Sequence, residues 1–150
     1  MIAATELRLG NYVIVDNHKY HPDLKDIPLK VISVSDSRNN QHSIGLNLIF
    51  KDKPPFYGTY AQWDKYIIGI PLTEQWLFDF GFKYNGWNYD FEIYRFHAQG
   101  RNGEEFYNTE FYIKRGTEHV LISFNIKTVH QLQNIYFALT GKELGLNKGK

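Results

Sequence analysis

Thr128 to Leu144, TVHQLQNIYFALTGKEL, constrains this chain more than any other stretch, because its helical character is legible residue by residue. Thr128 and Gln131 have the T-x-x-Q spacing of a capping box, in which each side chain satisfies a backbone N–H at the helix start. Val129, Leu132, Ile135, Tyr136 and Leu139 recur at the three- and four-residue steps of a single helical face. Gly141 stands where a left-handed residue ends a helix, and Lys142 follows near the negative end of the helix dipole. The spacing predicts one amphipathic helix over about 129–140, with the preceding residues supplying a sheet for it to cover.

The 150 residues suit one compact domain, with a β-rich part over 1–70 and a helix–meander–helix part over 71–150. Aromatic residues make up 17% of the chain, with 11 Phe, 11 Tyr and 3 Trp, and such side chains favour pleated, half-buried surfaces. A formal net charge of +1 gives no general pull towards nucleic acid or membranes. The chain has no cysteine, so disulfides and thiolate metal sites are excluded. No signal peptide is apparent at the start, and no apolar run approaches the roughly 20 residues of a membrane span, so a cytoplasmic protein is expected.

In the first half, strands are expected at Tyr12 to Val15, Leu29 to Val34, Ile44 to Phe50 and Tyr66 to Ile70, with Gly45 marking a bend or bulge. Asp36 to Asn40 reads as a turn, and Phe56 to Tyr66 as an aromatic loop. These strands suggest a curled antiparallel sheet of the SH3-like barrel kind. Pro71 to Gly81 reads as a short helix that turns the chain into a second sheet. It has Thr73 as N-cap, a Leu72/Leu77 staple, Trp76 in the core and Gly81 as its stop. Asn85-Gly86 between alternating aromatics predicts a type I′ hairpin. Its second strand runs through Phe91, Ile93 and Tyr94 to Phe96, and Gln99 to Glu105 is a loop. Tyr107, Thr109, Phe111 and Ile113 share one face of the next strand. Val120, Ile122, Phe124 and Ile126 mark the core face of the last. The fold class is thus α+β: curled sheet, short helix, four-stranded antiparallel meander and C-terminal helix, with Gly145 to Lys150 as a frayed tail.

Asp16, His18, His21, Asp23 and Asp26 crowd one loop and could hold a divalent metal, although His-x-x-His on a loop does not align two ring nitrogens as a helix does. Solvated loop polars are the commoner case. Of the other histidines, His42, His97 and His119 are scattered, and His130 falls in the first turn of the final helix. None has a signalled nucleophile beside it. Glu104-Glu105 and Asp90/Glu92 read as exposed carboxylates, the second pair on the outer face of a strand. Gln131, Gln133 and Asn134 read as the solvated side of the final helix. There is no Walker motif, G-x-G-x-x-G or G-x-S-x-G. No catalytic residue, metal or cofactor is assigned, and an enzyme is not expected.

Rings flanked by cations can stack on bases while neutralising phosphates. Two stretches have this character. One holds Tyr57, Tyr60, Trp63 and Lys65; the other holds Lys83, Tyr84, Trp87 and Arg95. These eight residues form the candidate ligand-binding set, against the alternative that many of the rings fill the core.

Three blocks, LRLGNYV (Leu7 to Val13), IPLTEQWLFDFGF (Ile70 to Phe82) and VHQLQNIYFALTGKEL (Val129 to Leu144), resemble a group of small uncharacterised proteins of Bacteroidetes bacteria, their phages and other mobile elements. The resemblance implies the same strand–helix–meander–helix order and supplies no activity. In that setting the expected function is a non-enzymatic binding protein of the bacterial cytoplasm. It would be a host-defence antagonist that sequesters a nucleotide second messenger. The alternatives are a protein–protein interaction module acting on a host complex and a single-stranded nucleic-acid binder, the latter disfavoured by near-neutral charge.

Overall fold

The computed structural model describes residues 1–16, 24, 26–36, 42–48, 60–100, 106 and 108–147, with the side chains of Asp36, Leu48, Tyr60, Ala61, Trp63 and Asp64 outside that description. The chain divides into two compact units, Met1–Ile70 and Pro71–Lys150.

The first unit is an antiparallel sheet of β1 (Tyr12–Val15), β2 (Leu29–Asp36), β3 (His42–Leu48), β4 (Tyr60–Trp63) and β5 (Ile67–Gly69). Their order is β4-β3-β2-β1-β5. Val13, Val15, Leu29, Val31, Ile44, Leu46 and Ile67 are buried and form its core with Ile2, Ala4, Leu7 and Leu24. Only a three-residue 3₁₀ turn, Asp64–Tyr66, separates the edge strands β4 and β5. Flat, five strands at about 4.8 Å spacing would set those edges roughly 19 Å apart. The chain from Trp63 to Ile67 reaches about 14 Å at most. The sheet is therefore coiled, which brings its edges towards each other. No β4–β5 pairing closes it among the described residues, so it is an open sheet and not the closed SH3-like barrel expected.

One further expectation is corrected in this unit. Tyr60–Trp63 is a strand paired with β3, not part of a loop, and the expected fourth strand begins only at Ile67. Aromatic and polar residues in Tyr60–Trp63 blurred the alternation by which a strand is read. Gly45 does mark an irregularity, but the extra residue is Ile32, opposite it on β2. A side chain at position 45 would collide with Ser33. The turn expected at Asp36 to Asn40 lies outside the described residues beyond Asp36.

The second unit begins with α1 (Glu74–Asp79), followed by β6 (Lys83–Tyr84), β7 (Tyr89–Phe91), β8 (Tyr94–Gln99), β9 (Asn108–Arg115), β10 (Glu118–Phe124) and α2 (Val129–Thr140). The sheet is an antiparallel meander of five strands, β10-β9-β8-β7-β6. The extra strand arises because Phe91 pairs with Tyr94 across a two-residue turn, with Glu92 at φ 51. No glycine or asparagine announces that turn, so the sequence alone reads Phe91 to Phe96 as one continuous strand.

Tyr89, Phe91, Tyr94, Phe96 and Phe111 share the inner face of this sheet. Tyr94 stacks on Phe111, with centroids 5.5 Å apart and planes 8° apart. Tyr136 of α2 meets Tyr94 edge-on at 5.5 Å and Phe91 at 5.9 Å. Each such ring pair adds about 0.5–1.5 kcal/mol beyond the area it buries. The helix is locked at both ends as its sequence predicts. Gln131 Oε1 accepts the Thr128 N–H at 3.2 Å in the capping box, and Gly141, at φ 69, donates to the Phe137 carbonyl at 2.7 Å. At the other end of the unit, Leu72 and Leu77 are fully buried as expected of the staple, while Trp76 is only half-buried against Phe80.

The buried stripe of α2 is rotated from the one expected. His130 and Gln133 are buried with Val129, Leu132 and Tyr136, whereas Ile135 is half-buried and Leu139 is exposed. Gln133 is thus a core residue, not a solvated one. It donates to the Leu144 carbonyl at 3.2 Å, and Asn147 N–H donates to the Asp79 carbonyl at 2.7 Å. The chain through Asn147 is therefore held against the unit and is not a frayed tail.

Candidate functional site

Strand register places Lys83, Asp90, Arg95, Tyr112 and Leu121 in one row across the outer face of the second sheet, opposite the aromatic core. His97, Glu110 and Phe124 form the neighbouring row, and His119 lies opposite Lys114. The two-residue period of the strands makes this segregation: each aromatic turned inward leaves a polar neighbour turned outward.

At the centre of the face, Asp90 and Arg95 form a bidentate ion pair, Nε to Oδ1 at 2.8 Å and Nη2 to Oδ2 at 3.0 Å. Asn85 Nδ2 donates to Asp90 Oδ2 at 3.0 Å, and Lys114 Nζ stands 3.7 Å from the same oxygen. The bond from Arg95 holds the Asp90 carboxyl below its ordinary value, with Lys114 acting in the same sense. Arg95 Nη1 lies 2.9 Å from His119 Nε2, and a guanidinium can only donate, so that nitrogen of His119 is the acceptor. Tyr112 donates to Glu110 at 2.7 Å, and this bond, with burial, pushes its phenol upward. His97 Nδ1 and Asn88 Oδ1 are 2.9 Å apart. Such a face can recognise polar groups.

The hairpin tip at one end of this face is built differently from the type I′ turn expected. Tyr84 pairs with Tyr89, which makes a four-residue loop of Asn85, Gly86, Trp87 and Asn88, and only Gly86 (φ 98) has positive φ. Asn85 Oδ1 accepts the N–H groups of Trp87 at 3.1 Å and Asn88 at 2.9 Å, and Asn85 N–H donates to the Asn88 carbonyl at 2.9 Å. Tyr84 OH donates to the Gly86 carbonyl at 2.6 Å, and its ring lies 4.9 Å from that of Tyr89. The asparagine side chain replaces the backbone geometry a tighter turn would need. On this fixed loop Trp87 is 81% exposed.

The predicted ligand-binding set is only partly assembled. Lys83, Tyr84 and Trp87 are exposed at or beside the tip, and Arg95 is committed to Asp90. Lys65 is exposed in the first unit, its Nζ 5.0 Å from the Tyr66 ring centroid. Tyr57 and the side chains of Tyr60 and Trp63 lie outside the described residues. Glu92 sits in the β7–β8 turn, so it does not share a strand face with Asp90. Of the proposed metal loop, His18, His21 and Asp23 lie outside the described residues, as do Glu104 and Glu105. Among the described residues no group of His, Asp and Glu could hold a metal ion. His130 is buried, with Nδ1 3.0 Å from Thr128 Oγ1. No helix among them is long and apolar enough to cross a membrane.

Sequence reasoning missed the other end of the face. Val120, Leu121, Ile122 and Phe124 of β10 are 39%, 49%, 37% and 66% exposed; of the three expected to face the core, Val120 does take the inner side, opposite Ile113, whereas Phe124 lies on the outer side, opposite Glu110. A register shift between Leu121 and Ser123 breaks the alternation, and β10 is an edge strand, so a two-residue period alone could not place them. A scan against protein-family models, a search of curated proteins and a search of solved structures each return no match.

Proposed function

We propose that this protein is a non-enzymatic interaction module that docks on a partner protein through the tip of its β6–β7 hairpin, with Trp87 as the anchor. The observation behind this reading is a tryptophan 81% exposed on a loop already fixed by Asn85 and Tyr84. An indole projecting from a fixed loop spares its partner the cost of ordering the backbone on docking and suits a concave pocket. Removing such an anchor costs about 2 kcal/mol or more, roughly a thirtyfold weaker Kd. A host complex as the partner, and a role in antagonising host defence, rest on the resemblance of the three sequence blocks.

Nucleotide sequestration is the second reading, favoured by the exposed Lys83 two positions before the same loop. Against it, Asp90 already neutralises Arg95, which leaves that guanidinium a poor phosphate ligand. One experiment separates the two. Wild type and Trp87→Ala are used side by side for affinity purification from bacterial lysate, and both are mixed with a nucleotide panel in native mass spectrometry. Docking predicts a protein retained by wild type, lost by Trp87→Ala, and no nucleotide increment. A mass increment that disappears in Trp87→Ala selects sequestration instead, and equal retention by both proteins refutes Trp87 as the anchor.

A further inference from the structure

We infer that β10 is the pairing edge for a second copy of this chain, joined antiparallel about a twofold axis at Val120. The inference is independent of Trp87. One edge of the second sheet is β6, only two residues long and carrying the exposed Lys83, which is the usual protection of an open edge. The opposite edge is β10, seven residues with no lysine, arginine or proline and with four exposed apolar side chains. At an edge that is open among the described residues, a strand of that composition is a template for another strand.

The ladder decides which backbone groups face outward. Lys114 N–H donates to the Ile93 carbonyl at 2.8 Å, on the β8 side of β9. Backbone direction alternates along a strand, so Lys114 and Tyr112 point to β8, and Ile113 points to its β10 partner Val120. His119 and Leu121, opposite Lys114 and Tyr112, therefore direct their N–H and C=O groups to the open side. An antiparallel second copy centred on Val120 matches these groups, His119 with Leu121 in both directions. Val120 then lies against Val120 and Glu118 against Ile122, with no like charges opposed. A parallel partner in register would set Glu118 against Glu118. The irregularity after Leu121 leaves Ile122 outside the regular ladder, so the regular part of the pairing is the segment His119 to Leu121, of which Val120 is the middle residue. The pairing is isologous and closed, so it ends at a dimer.

The chain contains no cysteine, which makes a single introduced thiol a clean reporter. Val120 facing Val120 is a non-hydrogen-bonded pair, with Cα atoms about 4.5 Å apart, inside the span a disulfide bridges. The experiment is sedimentation of the full chain over a concentration series, with Leu121→Lys and with Val120→Cys under mild oxidation. A dimer is expected for wild type, with a midpoint raised at least about tenfold by Leu121→Lys. Val120→Cys should give a covalent dimer, and Trp87→Cys, on the distant hairpin tip, should not. If Leu121→Lys fails to fold by circular dichroism, the Val120→Cys crosslink decides alone. A monomer at all concentrations overturns the inference and leaves β10 to a foreign strand. A dimer in which Val120→Cys does not crosslink also overturns it, because the interface then lies elsewhere.

Discussion

Gln133 reaches from within α2 to the backbone carbonyl of Leu144, Nε2 to oxygen at 3.2 Å, and both residues are buried. The bond fastens the segment after Gly141 back onto the helix. Gln133→Ala leaves a buried carbonyl without this donor, at a cost of about 1–3 kcal/mol. Urea unfolding should show that loss, and amide exchange over residues 144–147 should accelerate more than exchange in β9. A variant within about 0.5 kcal/mol of wild type would assign the residue no structural weight.

The ion pair of Asp90 and Arg95 has a pH signature. Arg95 holds the Asp90 carboxyl below its ordinary value, so the folded state binds this proton less readily than the unfolded chain. Its contribution is present in full above the ordinary carboxylate range and is lost as pH falls through the folded-state value. Both partners are partly solvated, so Asp90→Asn should cost no more than about 1 kcal/mol at neutral pH. Urea midpoints of wild type and Asp90→Asn should differ at pH 7 and converge as pH falls below the ordinary carboxylate value. A gap of constant size across that range would mean that shape, not charge, carries the difference.

What was legible in the chain is what local chemistry dictates. Thr128, Gln131 and Gly141 act within a single helix turn of their partners, so the bounds of α2 could be read directly. Leu72 and Leu77 are both fully buried for the same reason. The outer face was legible only in fragments, because its assembly depends on register: Arg95 meets Asp90 only once Glu92 has turned the chain. Burial along β10 could not be read at all. Whether Val120, on the inner face, is covered depends on how far a helix extends over a sheet edge, and Phe124 is turned to the outer face by the register shift after Leu121; alternation in one strand holds neither piece of information. Trp87 shows the converse: an asparagine side chain, through contacts two and three residues away, fixes a loop that the Asn-Gly pair alone would assign to a tighter turn.

Tyr94 makes the inner face sensitive to alkali. Its ring is stacked on Phe111 and edge-on to Tyr136, and burial, with a smaller contribution from Glu92, raises its phenol above the ordinary value of 10.0. The unfolded chain therefore releases this proton first. The stabilising contribution is complete below the ordinary phenol value and declines as pH rises towards the folded-state one. Tyr94→Phe keeps the ring and removes the titration, so wild type should lose stability more steeply than the variant between about pH 9.5 and 11. Tyr136 is shifted in the same direction, also chiefly by burial, so Tyr94→Phe should reduce the slope without abolishing it. Adding Tyr136→Phe should flatten it further. Urea midpoints measured across this range give the slopes directly. An equal or steeper decline in Tyr94→Phe would show that the phenol ionises without unfolding the sheet, and that this face opens to solvent in the native state.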